Sequence, residues 1–449
     1  MSIHKRLAAV AAAGTATLVA LAGCSSSGNG NGNAGGGDGS APAGTASVPA
    51  ASGNGKTLNL WVMTGDYTPE TVDAINAEFT KQTGAQVNVQ LQKWDGITTK
   101  LTTALSTDTP PDVVDLGNTQ VATYAASGGL LDLTDYKTDL AQGQTWLTGL
   151  TDPATVDGRL YGAAGFAGTR SVIYNKTMWA KAGITAPPTT WDEFTGDLDK
   201  LKAANPSADF SAFYLPGKYW YAGVQFVWDA GGELATSDNG KWAGGMSSDK
   251  AQAGLEAFKK FQNTYSAAGS RTVDTDAPDQ NQIFADGKAG AMLGTNGKLA
   301  LIKKANPKLT DDDLGTFAMP SPSGKTMPVM LGGSDWGIAA KSKNTDLALA
   351  WVKIAVSPQI QEKWVFGNDA WIPNSTELVK SASAKVAPLQ KGFFDAALNS
   401  KATPASPNWA ELEGNKAIND MFAAVASGAK SPKDAAATFD ADATKVLGQ

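Results

Sequence analysis

The chain is poor in the side chains that most enzymes use. Its 449 residues include one histidine, His4, and one cysteine, Cys24, both within the first 24 positions. Beyond them no Ser-His-Asp triad, Cys-His pair or ordinary zinc site can be assembled, and no disulfide can form. The sequence therefore implies neither a metal nor a cofactor, and it does not read as an enzyme. Arginine is scarce as well, limited to Arg6, Arg159, Arg170 and Arg271. Guanidinium is the usual fork for carboxylates and phosphates, so its scarcity favours a neutral ligand. Lysine and arginine total 37 against 43 acidic residues, a net charge of -6, which argues against nucleic acid or anionic lipid as a partner. The one long apolar run, residues 7–21, is too short to span a bilayer comfortably.

What is present begins with that run. Lys5 and Arg6 precede it, giving the charged and apolar regions of a secretory signal. It ends in Leu21-Ala22-Gly23-Cys24, which resembles the lipobox of bacterial lipoproteins, where the cysteine is lipidated and becomes the first residue after cleavage. Residues 25–55 are almost entirely Gly, Ser, Asn, Ala and Pro, a composition that cannot bury enough surface to offset chain entropy. They read as a flexible tether with a reach of roughly 30 Å.

From Lys56 onward strands alternate with helices. Residues 58–63 form an apolar strand, and Thr68-Pro69 then supplies an N-cap with proline at the first helical position. Val72, Ile75 and Phe79 fall at helical spacing before Gly84. A strand at 87–91, a helix carrying Ile97, Leu101 and Leu105, and a strand at 112–116 complete a β-α-β-α-β opening. That order predicts a parallel-leaning α/β sheet whose ligand sits beyond the carboxyl ends of its strands. Thr190 and Glu193 suggest a capping box, and 413–447 reads as two helices. Trp61, Trp191, Trp351 and Trp364 fall at core spacing.

These residues resemble the extracellular solute-binding proteins of bacterial carbohydrate ABC transporters, the group that includes maltose-binding protein. LNLWVMTGDYTPETVDAINAEFTKQTG at 58–84 is similar to the group's opening strand and helix. PPDVVDLGNT from Pro110, SGGLLDL from Ser127, DGRLYG from Asp157 and SVIYNK from Ser171 follow in family order. WDAGGEL from Trp228, FADGKAGAM from Phe284 and LGGSDWGI from Leu331 extend the likeness across nearly all of 57–449. The resemblance implies a two-lobed α/β fold of periplasmic-binding-protein type, with crossing strands near 165–170, 291–295 and 332–335. It implies residues 1–23 as signal peptide, 24–55 as lipidated tether, 56–165 with 294–333 as one lobe, and 166–293 with 334–449 as the other. The expected partners are a carbohydrate and the permease of an importer. The expected form is a monomer, lipid-anchored at Cys24 on the outer face of the cell membrane.

A sugar presents hydroxyls around its edge and C–H bonds on its faces, so its site needs flat apolar platforms between hydrogen-bonding groups. Thirteen tryptophans supply platforms. Asp66, at a strand end, matches a family position that accepts hydroxyl hydrogen bonds. Asn118 and Thr119 match the contact loop, and Tyr219, Trp220 and Tyr221 the aromatic platform, of which one or two are expected to meet ligand. Trp94 with Asp95, Trp228, Asn296, Ser334, Asp335, Trp336 and Arg170 are further candidates. Trp371 and Trp409, in polar loops of the second lobe, read as exposed binding aromatics. Many relatives carry a tryptophan just after the turn at Asn296-Gly297, where this chain has Lys298 and Leu299. The likeness therefore leans toward binders of chito-oligosaccharides or N-acetylglucosamine and away from maltose. A surface glycoside hydrolase or a carbohydrate adhesin is the alternative.

Overall fold

The computed structural model describes residues 46–448; the signal segment, Cys24 and the tether as far as residue 45 lie outside them. Strands β1 (Thr57–Met63), β2 (Gln86–Gln92) and β3 (Val113–Gly117) form the expected parallel opening, with β1 in the middle. Helix α1 (Pro69–Thr83) starts on the Thr68 side chain, which accepts from Thr71 N, and ends at Gly84. Helix α2 (Ile97–Ser106) returns the chain to β3. Two later strands finish this sheet: Gly332–Ile338 lies antiparallel between β3 and Ala163–Gly168.

The second sheet is antiparallel, with Arg170–Asn175 between Ala291–Thr295 and Leu314–Phe317. Its side chains alternate between two cores, as a pleated strand requires. Val172 and Tyr174 enter one core and Ile173 the other, and Ala291 and Leu293 oppose Met292 in the same way. The first core includes β1, β3 and α1, and the second collects Phe194, Phe213, Phe258, Phe261 and Phe422. The capping box at Thr190 and Glu193 is present at the head of Trp191–Ala204. The tail forms Trp409–Gly414, Ala417–Ser427 and Pro432–Leu447, with Ile418, Phe422, Val425 and Phe439 buried.

Two boundaries differ from expectation. Residues 46–55, assigned to the tether, lie along the body. Val48 N donates to Asp139 Oδ2 at 2.7 Å, Lys353 Nζ grips the same carboxylate, and Gly53 N donates to Thr83 O at 2.8 Å. Val48 and Ala51 pack on the first core, enough apolar contact to hold a segment whose composition reads as loose.

The lobe ranges also divide differently. Residues 334–366 belong with the first sheet: Trp336 meets Trp351 edge-on at 4.7 Å, and Trp351 Nε1 donates to Asn76 Oδ1 on α1. Conversely Leu314–Phe317 joins the second sheet, and Met319, Met327 and Met330 enter the second core. Pro388–Ala397 lies against Leu314–Phe317, where Gly392 N donates to Thr316 Oγ1. Long-range strand pairing decides these memberships, and no local pattern reports it.

The chain crosses between sheets at Gly168-Thr169-Arg170. Here backbone lies on backbone. Gly333 has φ 147°, and a Cβ placed on it would overlap the Phe166 carbonyl oxygen. Asp335, two residues on, is 1% exposed and neither carboxyl oxygen has a partner. Burial holds its carboxyl well above the usual carboxylate range.

Gly333→Ala is expected to lower unfolding free energy by about 2–4 kcal/mol through backbone strain and forced separation of the strands. Urea denaturation measures it, and an unchanged midpoint would contradict the tight crossing. For Asp335 the folded state favours the protonated acid. Its contribution to stability is complete below the unfolded carboxylate pKa of about 4 and is lost as pH rises through the elevated folded value. Asp335→Asn removes that dependence, so the melting temperature of the variant relative to wild type should climb as pH rises above about 4. A difference that stays level with pH would rule this out.

Candidate functional site

A cavity of about 570 Å³ opens between the two sheets' surroundings. On the first side it is lined by Thr98 of α2 and by Thr119 and Gln120, the short turn that follows β3. This is the carboxyl end of a parallel strand, where α/β sheets hold ligands. The opposite wall comes from Arg170, Lys218 to Tyr221, Gln280, Thr295, Lys298 and Glu413. A larger concavity of about 850 Å³ lies elsewhere, between residues 48–51, α1 and Thr345–Ala355, and none of Gly168, Thr169 and Arg170 lines it.

The aromatic wall is built around one cation. Arg170 opens the second crossing strand, opposite Thr295. Its Nε donates to Tyr219 Oη at 3.1 Å, and its guanidinium carbon sits 4.0 Å from the Tyr221 ring centroid. Tyr221 in turn stacks on Trp220 with centroids 4.0 Å apart. Trp220 backs onto Trp409 at 6.2 Å. Tyr221 Oη donates to Glu413 Oε1 at 2.6 Å; burial, followed by the Glu413 charge, pushes the phenol up. Among the described residues no carboxylate forms an ion pair with Arg170. Gln280, 1% exposed at the cavity's edge, has neither amide atom bonded.

Asp66 sits in a second cluster, at the end of β1. It accepts from Trp94 Nε1 at 3.2 Å and from Ser334 Oγ at 2.6 Å, while its backbone oxygen accepts from Trp371 Nε1. Burial raises its carboxyl against the pull of those two side-chain bonds. Next to it Tyr67 stacks on Trp336 at 5.0 Å and meets Phe166 edge-on, and Phe166 stacks on Trp371 at 4.6 Å. Asp115 lies near, its Oδ2 accepting from Met63 N, with burial and the Asp66 charge raising its carboxyl.

Of the expected contacts, Thr119, Arg170, Tyr219, Trp220 and Tyr221 line the cavity. Tyr219 and Trp220 are largely buried, so Tyr221 offers the most ring surface. Asp66, Trp94, Ser334 and Trp371 belong to the second cluster, with Trp94 39% exposed and Asp95 exposed beside it. Several others have structural partners. Asn118 donates to the Gly149 and Leu331 carbonyls, Asn296 caps Gly297–Ala305, and Trp228 is buried under Lys401. Trp336 and Asp335 are buried. Trp409 is a correction: it is fully buried in the second core, because the polar stretch before it turns into a helix whose Trp409 and Leu412 face inward. Trp371 likewise packs with the first core. Gln280 and Glu413 were invisible to sequence reading, since each is an ordinary polar residue brought in by a long-range crossing, whereas Thr295 ends an expected crossing strand and Lys298 follows the Asn296-Gly297 turn singled out in the sequence.

The chain is similar to known proteins along most of its length. The diacetylchitobiose binding protein DasA of Streptomyces coelicolor is 38% identical over 397 residues, covering 88% of this chain and 91% of that protein. The maltodextrin-binding protein MdxE of Bacillus subtilis is 25% identical over 402 residues, covering 87% and 90%. Among solved structures, the sugar-binding protein MalE of Xanthomonas citri superposes with a TM-score of 0.74 at 23% identity, covering 87% of this chain and 97% of that one. The family profile described as bacterial extracellular solute-binding protein matches residues 65–362. A profile match over most of the folded body, joined to a relative alike along nearly its whole length, means that this chain belongs to the bacterial extracellular solute-binding proteins.

Proposed function

We propose that the protein captures a short neutral saccharide outside the cell, an N-acetylated chito-oligosaccharide foremost, and hands it unchanged to the permease of an ABC importer. The observation that carries this reading is the wall of Tyr219, Trp220 and Tyr221 around Arg170, facing the hydroxyl and amide groups of Thr98, Thr119 and Gln120 across the cavity. Flat rings take the C–H faces of a sugar and the polar groups take its edge. The relative at 38% identity is named for diacetylchitobiose, which supports the choice within that class.

The cavity's two walls come from opposite sides of the crossings, so a ligand touching both favours a closed arrangement by its differential affinity. Lipid attachment at Cys24 would keep the protein at the outer face of the membrane, and the protein acts as a monomer. Catalysis fits poorly. A glycoside hydrolase needs a carboxylic acid that stays protonated beside the scissile bond. The carboxyls raised by burial, Asp66, Asp115, Asp152 and Asp335, do not line the cavity.

Differential scanning of the protein with diacetylchitobiose, cellobiose, maltose and xylobiose tests the reading. A true ligand at 100 times its Kd adds about 2.7 kcal/mol of stability and is recovered intact. Tyr221→Ala should abolish the shift yet leave the ligand-free melting temperature within a few degrees, because the ring is only half-buried. Release of monosaccharide, or stabilisation solely by an anionic or peptide solute, would refute the assignment. For the anchor, Cys24→Ala should move the protein from the membrane fraction to the medium, as followed by immunoblot; continued membrane retention would count against lipidation.

A further inference from the structure

Two polar groups in the cavity wall have valences that the protein itself does not use. Gln280 is 1% exposed, and both its Nε2 and its Oε1 lack a hydrogen-bond partner. A buried amide left this way forfeits its hydration with nothing in return, so an arrangement of this kind persists where something else completes it. Arg170 is the second. Nε is taken by Tyr219, one terminal nitrogen approaches only the Met330 sulfur at 3.8 Å, and no carboxylate answers its charge. Thr295, directly across the strand pair from Arg170, lines the same cavity.

The two groups differ in what they ask for. Arg170 can only donate, and Gln280 can do both. A ligand carboxylate would satisfy Arg170, and the cavity lining carries both signs, Lys218, Lys298 and Lys416 beside Asp274, Asp276 and Glu413, so charge alone does not select the ligand. The amide of Gln280 is neutral and asks for a donor and an acceptor together. A hydroxyl offers oxygen and hydrogen on one atom and so reaches one small region. A secondary amide is planar and trans, with its C=O and N–H pointing in opposite directions, and it needs a donor on one side and an acceptor on the other.

We propose that Arg170 and Gln280 are the specificity-determining pair of this cleft, reading the acetamido substituent of an N-acetylated sugar: the guanidinium donates to the amide carbonyl and Gln280 Oε1 accepts the amide N–H. The assignment rests on the cavity being the saccharide site. It goes further in naming the substituent that is discriminated and the side chains that do so. The Tyr219 and Tyr221 contacts hold the guanidinium in place before ligand arrives, so little side-chain freedom is lost on binding.

The test compares diacetylchitobiose with cellobiose, which share the β-1,4-linked ring pair and differ at C2, where an acetamido group replaces a hydroxyl. Binding to the full chain is measured by calorimetry. Wild type should prefer diacetylchitobiose by about 100-fold or more, since a site built around polar partners rejects a ligand that leaves them unpaired. Gln280→Leu and Gln280→Met, which keep much of the volume and lose the accepting oxygen, should each cut that preference at least tenfold, with the loss in the diacetylchitobiose arm. Because the Gln280 side chain bonds to nothing in the protein, circular dichroism should report native folding for at least one of them. Equal wild-type affinity for both sugars overturns the inference while leaving saccharide binding intact. A folded variant that keeps the wild-type preference overturns it too. If no saccharide binds the wild type, the saccharide reading fails first and the inference falls with it.

Discussion

Close contact of main chain on main chain at Ala163–Gly168 and Gly332–Ile338 is the constraint from which the rest of the architecture follows. A Cβ on Gly165 would lie 2.6 Å from the Ser334 carbonyl oxygen and the Tyr67 hydroxyl, and one on Gly333 would overlap Phe166. Only hydrogen atoms fit there. Once the two strands lie this near, Ser334 reaches Asp66 at the end of β1, and Asp335 is pressed against Gly162 with no bonding partner. The crossing thus fixes the polar cluster of the first sheet. Just past it, Arg170 begins the next strand and holds its guanidinium against Tyr219 and Tyr221 of the cavity's aromatic wall.

The two clusters divide the chemistry between them. Asp66 itself is met from inside the protein: Trp94, Ser334 and Trp371 all donate to this one residue. Its neighbours are not, since Tyr67 Oη, Asp115 Oδ1, Trp336 Nε1 and both Asp335 oxygens have no partner, and stacked rings pack around them. Arg170 and Gln280 also retain unused donors and acceptors, and Tyr221 keeps part of its ring open. Unfilled valence thus occurs in both clusters, and that of Arg170 and Gln280 lies on the cavity wall.

How much of this was readable beforehand follows from the range of each interaction. The β-α-β-α-β opening, the Thr68 cap and the Thr190–Glu193 box depend on neighbours a few residues apart, and they stand as the sequence indicates. The aromatic wall was legible because Tyr219, Trp220 and Tyr221 are consecutive. Trp409 misled because a polar stretch next to a tryptophan looks exposed, whereas helix Trp409–Gly414 turns the ring inward against Trp220. Gln280 and Glu413 gave no signal, since their importance depends on strands and helices far away in the chain. Residues 46–55 misled for the opposite reason: composition predicts freedom, but three backbone donors and two small apolar side chains suffice to fix them.

The placement of Arg170 joins recognition to motion. Its backbone is one residue from the crossing at Thr169, and its side chain forms the floor of the aromatic wall. The facing wall has only the short polar groups of Thr98, Thr119 and Gln120. Rings and cation therefore offer a broad surface that needs little adjustment, while hydroxyls and an amide on the other side form directional bonds only at short range. On the proposed reading, a ligand resting on the rings would gain those bonds only if the walls approached, and the nearest place to absorb that movement would be the glycine-rich crossing where the side chains have been kept away. Small residues at 165, 168, 332 and 333 serve both ends: they allow the strands to lie in contact, and they leave no side chain there to resist a change of angle.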